Sequence, residues 1–187
     1  MTDDRRALAR VPWRTLATRP VYVNPWLRVR EDVAAMPDGR HTLYGVVTTG
    51  TGLAVGMLPF LDADTVVLVG QYRYISRRFS WEIPTGAVAP GESLIDAAQR
   101  ELAEEAGYRA ARLEPLSVFE SSKSVLEETA HVYLATGLTP VTHEADATEF
   151  IEVRPFAFDE VVRMIDRGEI FEAMTIVAVL QARRRPS

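Results

Sequence analysis

The chain has 187 residues, 47% of them apolar and 25% charged, an ordinary balance for one folded unit able to bury about 70% of its unfolded surface. Its 21 basic and 26 acidic residues give a net charge of −5, which argues against a broad grip on nucleic acid, and the absence of cysteine removes disulfides, thiol nucleophiles, thiolate zinc sites and iron–sulfur clusters. The longest apolar run, residues 53–61, is far below the roughly 20 residues that span a bilayer, and no secretory h-region is present, so a cytoplasmic protein without membrane contact is expected. An anionic small-molecule substrate stays open, because a metal ion or an arginine cluster can reverse the field inside one cleft.

In chain order, residues 1–10 read as a frayed end or a short helix. Residues 21–33 are rich in valine and aromatics and read as a strand interrupted at Asn24-Pro25; Pro37-Asp38-Gly39 is a turn, and residues 41–47 are the returning strand of a hairpin. Strands follow at 53–58 and 65–74, the second running into the arginine-rich stretch that holds Arg77 and Arg78. Pro84, Gly86, Pro90 and Gly91 then bracket a loop. From Ser93 to Ala106 the apolar spacing changes to three and four, with Gly107 placed to end a helix in the left-handed conformation. Strand signals return at 116–119, 130–135 and 150–153, separated by an acidic loop at 139–149. Helices are expected at 159–167, ended by Gly168, and at 170–184. The order predicts a mixed α/β core, with residues 1–48 a strand region, 49–184 the main domain and 185–187 a solvated tail.

The helix at 93–106 carries Arg100, Glu101, Glu104 and Glu105. Helical spacing puts Glu101 and Glu105 one turn apart on one face with Glu104 beside them. Like charges so placed repel unless something positive sits over them. Two or more carboxylates meeting water and phosphate oxygens describe a Mg²⁺ or Mn²⁺ site, since hard cations prefer oxygen ligands; a solvated glutamate-rich face is the structural alternative. Arg73, Arg77 and Arg78 precede the loop, and guanidinium forks suit phosphate oxygens, with surface solubility as their plainer role. Tyr72, Tyr74, Phe79 and Trp81, like Tyr22 and Trp26, are candidates to stack a base, against the commoner role of packing the core. The three histidines, His41, His131 and His143, show no metal-ligand spacing.

The stretch from Gly86 through Glu92 to Arg100-Glu101-Leu102-Ala103-Glu104-Glu105-Ala106-Gly107-Tyr108 resembles the Nudix box at every specified position. That resemblance implies a Nudix-type α/β/α sandwich around a mixed sheet, with an N-terminal antiparallel strand extension, in which a loop–helix–loop holds divalent metal against a diphosphate. It implies metal ligation by Glu101, Glu105, Glu104 and the Gly86 carbonyl, structural support from Glu92 and Arg100, and two or three Mg²⁺ or Mn²⁺ ions. Gln71-Tyr72-Arg73, the 81–86 segment Trp-Glu-Ile-Pro-Thr-Gly, and the segments around 134–138, 149–153 and 168–176 are similar to those of ADP-ribose pyrophosphatases and related nucleotide-sugar hydrolases, so the likeness runs from about 46 to 180. In that subgroup, Arg73, Tyr72, Glu82 and Glu128 fall at substrate-binding positions, and the N-terminal strands make a homodimer and help build the nucleoside pocket. Glu104, Glu105 and Glu149 are the catalytic candidates, with Glu144 and Asp146 as further acids in the same loop; Ala147 stands where a carboxylate is often found, and the 123–128 stretch departs from the commonest ADP-ribose pattern. The expected reaction is hydrolysis of ADP-ribose to AMP and ribose 5-phosphate. Hydrolysis of another nucleoside diphosphate derivative, such as GDP-mannose, ADP-glucose or NADH, is the alternative, and a non-catalytic nucleotide-sugar binding module the more distant one.

Overall fold

A computed structural model describes residues 9–142 and 150–185. An antiparallel sheet of β1 (Arg14–Val23), β2 (Leu27–Ala35) and β3 (His41–Thr49) comes first, in that order. The stretch that reads as one interrupted strand is thus two. The Asn24 carboxamide oxygen accepts from the amides of Trp26 (2.9 Å) and Leu27 (2.8 Å), so Asn24-Pro25 reverses the chain instead of kinking it.

Among the described residues, seven further strands and three helices follow: β4 (Leu53–Pro59), β5 (Thr65–Arg73), β6 (Arg78–Glu82), β7 (Thr85–Ala87), α1 (Leu94–Ala106), β8 (Tyr108–Glu120), β9 (Thr129–Pro140), β10 (Glu152–Ala157), α2 (Phe158–Asp166) and α3 (Ala173–Arg183). One sheet runs β10-β5-β6 and is antiparallel; the other runs β7-β4-β9-β8, with β4 and β9 parallel, so the architecture is mixed. Strands β4 and β5 are buried on both faces, which explains their almost unbroken apolar sequence. Alternate residues divide between two cores. Val55, Met57, Val67 and Val69 pack with Ala97, Ala98 and Leu102 of α1, whereas Leu58, Val66 and Leu68 pack with Val161 of α2 and Ala178 and Val179 of α3. The sheets therefore lie between α1 on one side and α2 with α3 on the other, the expected α/β/α sandwich.

Several elements differ from the sequence reading for identifiable reasons. Strands β6 and β7 fall where an arginine-rich segment and a loop are expected. The reversal before β6 uses Arg77 in the left-handed region (φ 53) in place of a glycine, so the sequence carries no turn signal there. Strands β8 and β9 extend well beyond their apolar centres, paired from Tyr108↔Pro140 to Glu120↔Thr129 through a bulge after Pro115. Helix α3 begins after Glu172, whose carboxylate accepts from the amides of Met174 and Thr175 (2.7 Å each); Ile170 is buried ahead of it. The segment expected as a solvated tail is anchored as far as Arg185, which donates to the Pro115 carbonyl (2.6 Å). Among the described residues, no helix is long and apolar enough to cross a membrane.

Candidate active site

Helix α1 sets the site. Ser93 caps its start, its hydroxyl accepting from the Asp96 amide (3.1 Å) and donating to the Asp96 carboxylate (2.6 Å); Gly107 ends it at φ 72, where a side chain would be strained. Burial of Ala97, Ala98, Leu102 and Ala106 fixes the rotation of the helix, and the edge carrying Glu101, Glu104 and Glu105 then faces β7 and the loop after it.

The contacts across that edge are short. The Thr85 amide donates to Glu105 (2.8 Å), whose side chain is buried. Gly86 lies so close to Glu101 that a Cβ built on it would overlap the Glu101 carboxylate. Arg100 ties loop to helix: Nε and Nη2 donate to the two oxygens of Glu92 (2.9 and 3.0 Å), Nη1 to Glu101 (2.7 Å) and Glu104 (3.0 Å), and Nη2 also to the Ala87 carbonyl (3.0 Å). These bonds engage every N–H of the guanidinium and leave no donor for a substrate. Glu92 also accepts from the Ala89 amide (3.0 Å). The Arg100 hydrogen bonds, and after them the amide, hold its carboxyl down at about 2. Arg100 is correspondingly held above its ordinary value, chiefly by Glu92.

A second ion pair sits at the end of β5. Arg73 Nε donates to both oxygens of Glu82 (3.0 and 3.1 Å), and Nη2 makes the closest contact; Glu82 is 1% exposed. The bond to Glu82 raises Arg73 above its ordinary value, opposed by burial and reinforced by the charges of Glu82, Glu105 and Glu172. Beyond Glu82 the Ile83 amide donates to the buried Thr175 hydroxyl (3.0 Å), which donates to Glu172 (2.8 Å), so α3 holds the β6–β7 corner. The sequence reading missed Thr175 and Glu172; a carboxylate at a helix N-cap was the available signal.

The remaining candidates separate. Tyr72 is exposed, opposite Phe79. Trp81 packs edge-on against Phe79 (5.3 Å between ring centroids) and Phe156 (4.9 Å) beside the core, and Arg78 stacks over Phe171 (3.7 Å). Glu128 stands apart from α1 and accepts from the Thr49 hydroxyl (2.8 Å). Glu149, with Glu144 and Asp146, lies outside the described residues.

The residues present fit a divalent cation. Glu92, Glu101 and Glu104 gather around Arg100 and Glu82 around Arg73, with Glu105 and Glu172 close enough to act on the Arg73 charge, so carboxylates are concentrated on this edge of the cleft. Its donors are oxygens, and the bare Gly86 backbone lets the Glu101 carboxylate lie directly against it. Among the described residues no three acidic or histidine side chains close on a point as a protein-only cage would.

The profile of the NUDIX domain matches residues 50–175, and that of the nucleoside diphosphate sugar hydrolase N-terminal domain matches residues 13–47. The chain belongs to the NUDIX domain family, whose members generally use divalent metal ions. It is a Nudix pyrophosphohydrolase of the ADP-ribose pyrophosphatase-like subgroup. It is 28% identical to an ADP-ribose pyrophosphatase of Bacillus subtilis (strain 168) and 29% identical to a methanol dehydrogenase activator of Bacillus methanolicus, each alignment covering 89% of this chain and 90% of the relative. A crystal structure described as an ADP compounds hydrolase superposes with a TM-score of 0.80 at 23% identity, over 91% of this chain and 92% of the other, and so shares the fold.

Two expectations follow from this geometry. Gly86→Ala places a methyl group in the Glu101 carboxylate, and turnover is expected to fall by about 10²-fold or more while the melting temperature stays near that of the wild type, measured by steady-state kinetics beside calorimetry. Because the Glu92 carboxyl is depressed in the folded state, its stabilising contribution is present above the ordinary value of 4.5 and is lost as pH falls through about 2. Thermal unfolding followed from about pH 5 to 2 should therefore show a shallower loss of stability in Glu92→Gln than in the wild type.

Proposed function

We propose that this chain is a metal-dependent hydrolase of nucleoside diphosphate sugars that cleaves ADP-ribose to AMP and ribose 5-phosphate. The observation that carries the proposal is the loop-to-helix arrangement in which Arg100 gathers Glu92, Glu101 and Glu104 and the Glu101 carboxylate packs against the bare Gly86 backbone. Glu101, Glu105, Glu104 and the Gly86 carbonyl would hold the metal. When bound, two or three Mg²⁺ or Mn²⁺ ions supply neutralisation of the phosphate charge and a lowered pKa for the attacking water. Arg73 presents its remaining guanidinium edge to the diphosphate, and Glu82 sets the orientation of that fork. Tyr72 and Glu128 frame the nucleoside or terminal sugar, and Glu104, Glu105 and Glu149 are the candidates to accept the water's proton. The names of the relatives support ADP-ribose first. The departure of residues 123–128 from the commonest ADP-ribose pattern favours a second reading in which the diphosphate carries another group, as in GDP-mannose, ADP-glucose or NADH.

The N-terminal sheet supplies the second part of the proposal, a homodimer. Strand β1 lies at the sheet edge with all ten of its residues exposed, and Trp13, Leu16, Tyr22, Trp26, Leu43 and Tyr44 are exposed on the same sheet or its turns. An uncovered edge and so much apolar surface call for a partner, and a second copy covers both.

Product release from ADP-ribose, ADP-glucose, GDP-mannose and NADH, each with Mg²⁺ and with Mn²⁺, tests the first part. ADP-ribose is expected to turn over fastest, and Glu105→Gln, which removes one anionic oxygen with little change of volume, is expected to lower kcat by about 10²- to 10³-fold. Wild-type turnover in that variant would remove Glu105 from the site. Sedimentation at micromolar concentration tests the second part; a dimer is expected, and a monomer contradicts it.

A further inference from the structure

The segment at residues 121–128, which follows β8, is joined to the free edge of β3. The Val47 amide donates to the Val125 carbonyl (2.8 Å) and the Glu127 amide to the Val47 carbonyl (2.7 Å), so Val47 and Leu126 form a single parallel bridge that ties this segment to the edge of β3. Side chains repeat the connection. Arg30 on β2 reaches across β3 and donates to both oxygens of Glu127 (2.6 and 3.0 Å), and the Thr48 hydroxyl donates to the same carboxylate (2.7 Å). The next residue, Glu128, accepts from Thr49. From there the path runs into the active-site loop: the Thr129 amide donates to the Gly52 carbonyl (2.9 Å), and the Thr51 hydroxyl to the carbonyl of Val88 (2.8 Å), one residue from the Ala87 carbonyl held by Arg100.

The Arg30–Glu127 pair is also a wall. A cavity of about 240 Å³ containing Arg28, Thr18 and Thr48 lies on one side of it, and one of about 190 Å³ containing Tyr44, Val46 and Lys123 on the other; Arg30 and Glu127 line both. The pair is well exposed, with 32% of the Arg30 and 53% of the Glu127 side chain accessible. Ion pairs this open add little to global stability, so holding the fold together does not account for a bidentate contact between residues 97 positions apart.

We propose that Arg30 and Glu127 are positioning residues: they fix the N-terminal sheet against the 121–128 segment and thereby set Glu128 and the Thr49–Gly52 turn around the nucleoside end of the substrate. The inference rests on the reading of this chain as a nucleoside diphosphate sugar hydrolase. The pair touches no reacting group and acts on substrate affinity through the frame it holds. Breaking it lets the two cavities merge and the segment leave β3, while α1 and its carboxylates stay in place.

The test is a cycle of R30Q, E127Q and R30Q/E127Q in the full chain, read by KM and kcat for ADP-ribose with Mg²⁺, by melting temperature, and by amide exchange of residues 121–128. Each single variant is expected to raise KM about fivefold or more with kcat within about twofold, and the double variant to be no worse than the singles, as for two residues acting as one unit. Exchange in 121–128 is expected to quicken by about tenfold while α1 is unchanged. KM within about twofold of wild type in the singles overturns the proposal, as does a fall in kcat that tracks the melting temperature. If the wild type hydrolyses no nucleotide sugar, the functional reading fails by itself; unchanged exchange in the singles, which needs no substrate, overturns the clamp whatever the activity.

Discussion

One guanidinium holds the catalytic end of this protein together. Glu101, Glu104 and Glu105 lie within a single stretch of helix, where like charges destabilise each other, and the helix exists in this form because Arg100 sits among them. The same group reaches back to Glu92 and the Ala87 carbonyl, so the loop after β7 is located by the charge that makes the helix tolerable. Lysine has three donors on a flexible stem and could not serve these acceptors in a planar fork. Arg100 also sets a limit on the site. All five of its N–H groups are engaged within the protein, so its part is to position the loop and the helix rather than to grip a substrate.

Arg73 plays the corresponding part at the other end of the loop, under harsher conditions. Glu82 is almost wholly removed from water, and a carboxylate so placed is costly unless it is paired and hydrogen-bonded. Removing the arginine would leave that carboxylate stranded away from water, whereas Arg73 itself keeps part of its side chain in solvent. The Glu82 backbone is fixed from the other side by the step from Ile83 to Thr175 to Glu172, which makes the N-cap of α3 part of the site's foundations. Thr175 is completely buried and both of its hydrogen-bonding roles are used, so neither valine nor serine reproduces it without loss of a bond or of packing.

What could be read from the sequence was what short-range rules govern. Helix α1, its cap at Ser93 and its stop at Gly107 follow from spacing and local chemistry, and β4 and β5 from runs of apolar residues long enough for strands and too short for core helices. The division of those runs between two helical layers follows from the two-residue period of a strand. Strands β6 and β7 were hidden because they are short, because their turn uses an arginine in place of a glycine, and because Gly86 reads as a loop residue although it pairs with Val55. In the site, the α1 carboxylates, Arg100 and Glu92 could be found from one contiguous segment. The link from Ile83 to Thr175 and the Arg30–Glu127 contact could not, since each joins positions far apart in the chain; only the Glu172 N-cap beside Thr175 left a local trace.

That difference has a physical basis that bears on the whole molecule. The carboxylates of the candidate site are held at their mutual distances by one loop and one helix, all within residues 85–107. The frame around it depends on contacts that only tertiary structure creates: β3 against the 121–128 segment, and α3 against the β6–β7 corner. A substitution in the first group changes how charge is held, whereas one in the second changes where surfaces lie and leaves the charge alone. In this chain the frame carries an arginine–carboxylate bridge and a serine- and lysine-bearing segment beside the N-terminal sheet, so a substitution there moves a cavity wall while leaving the glutamates of α1 where they are.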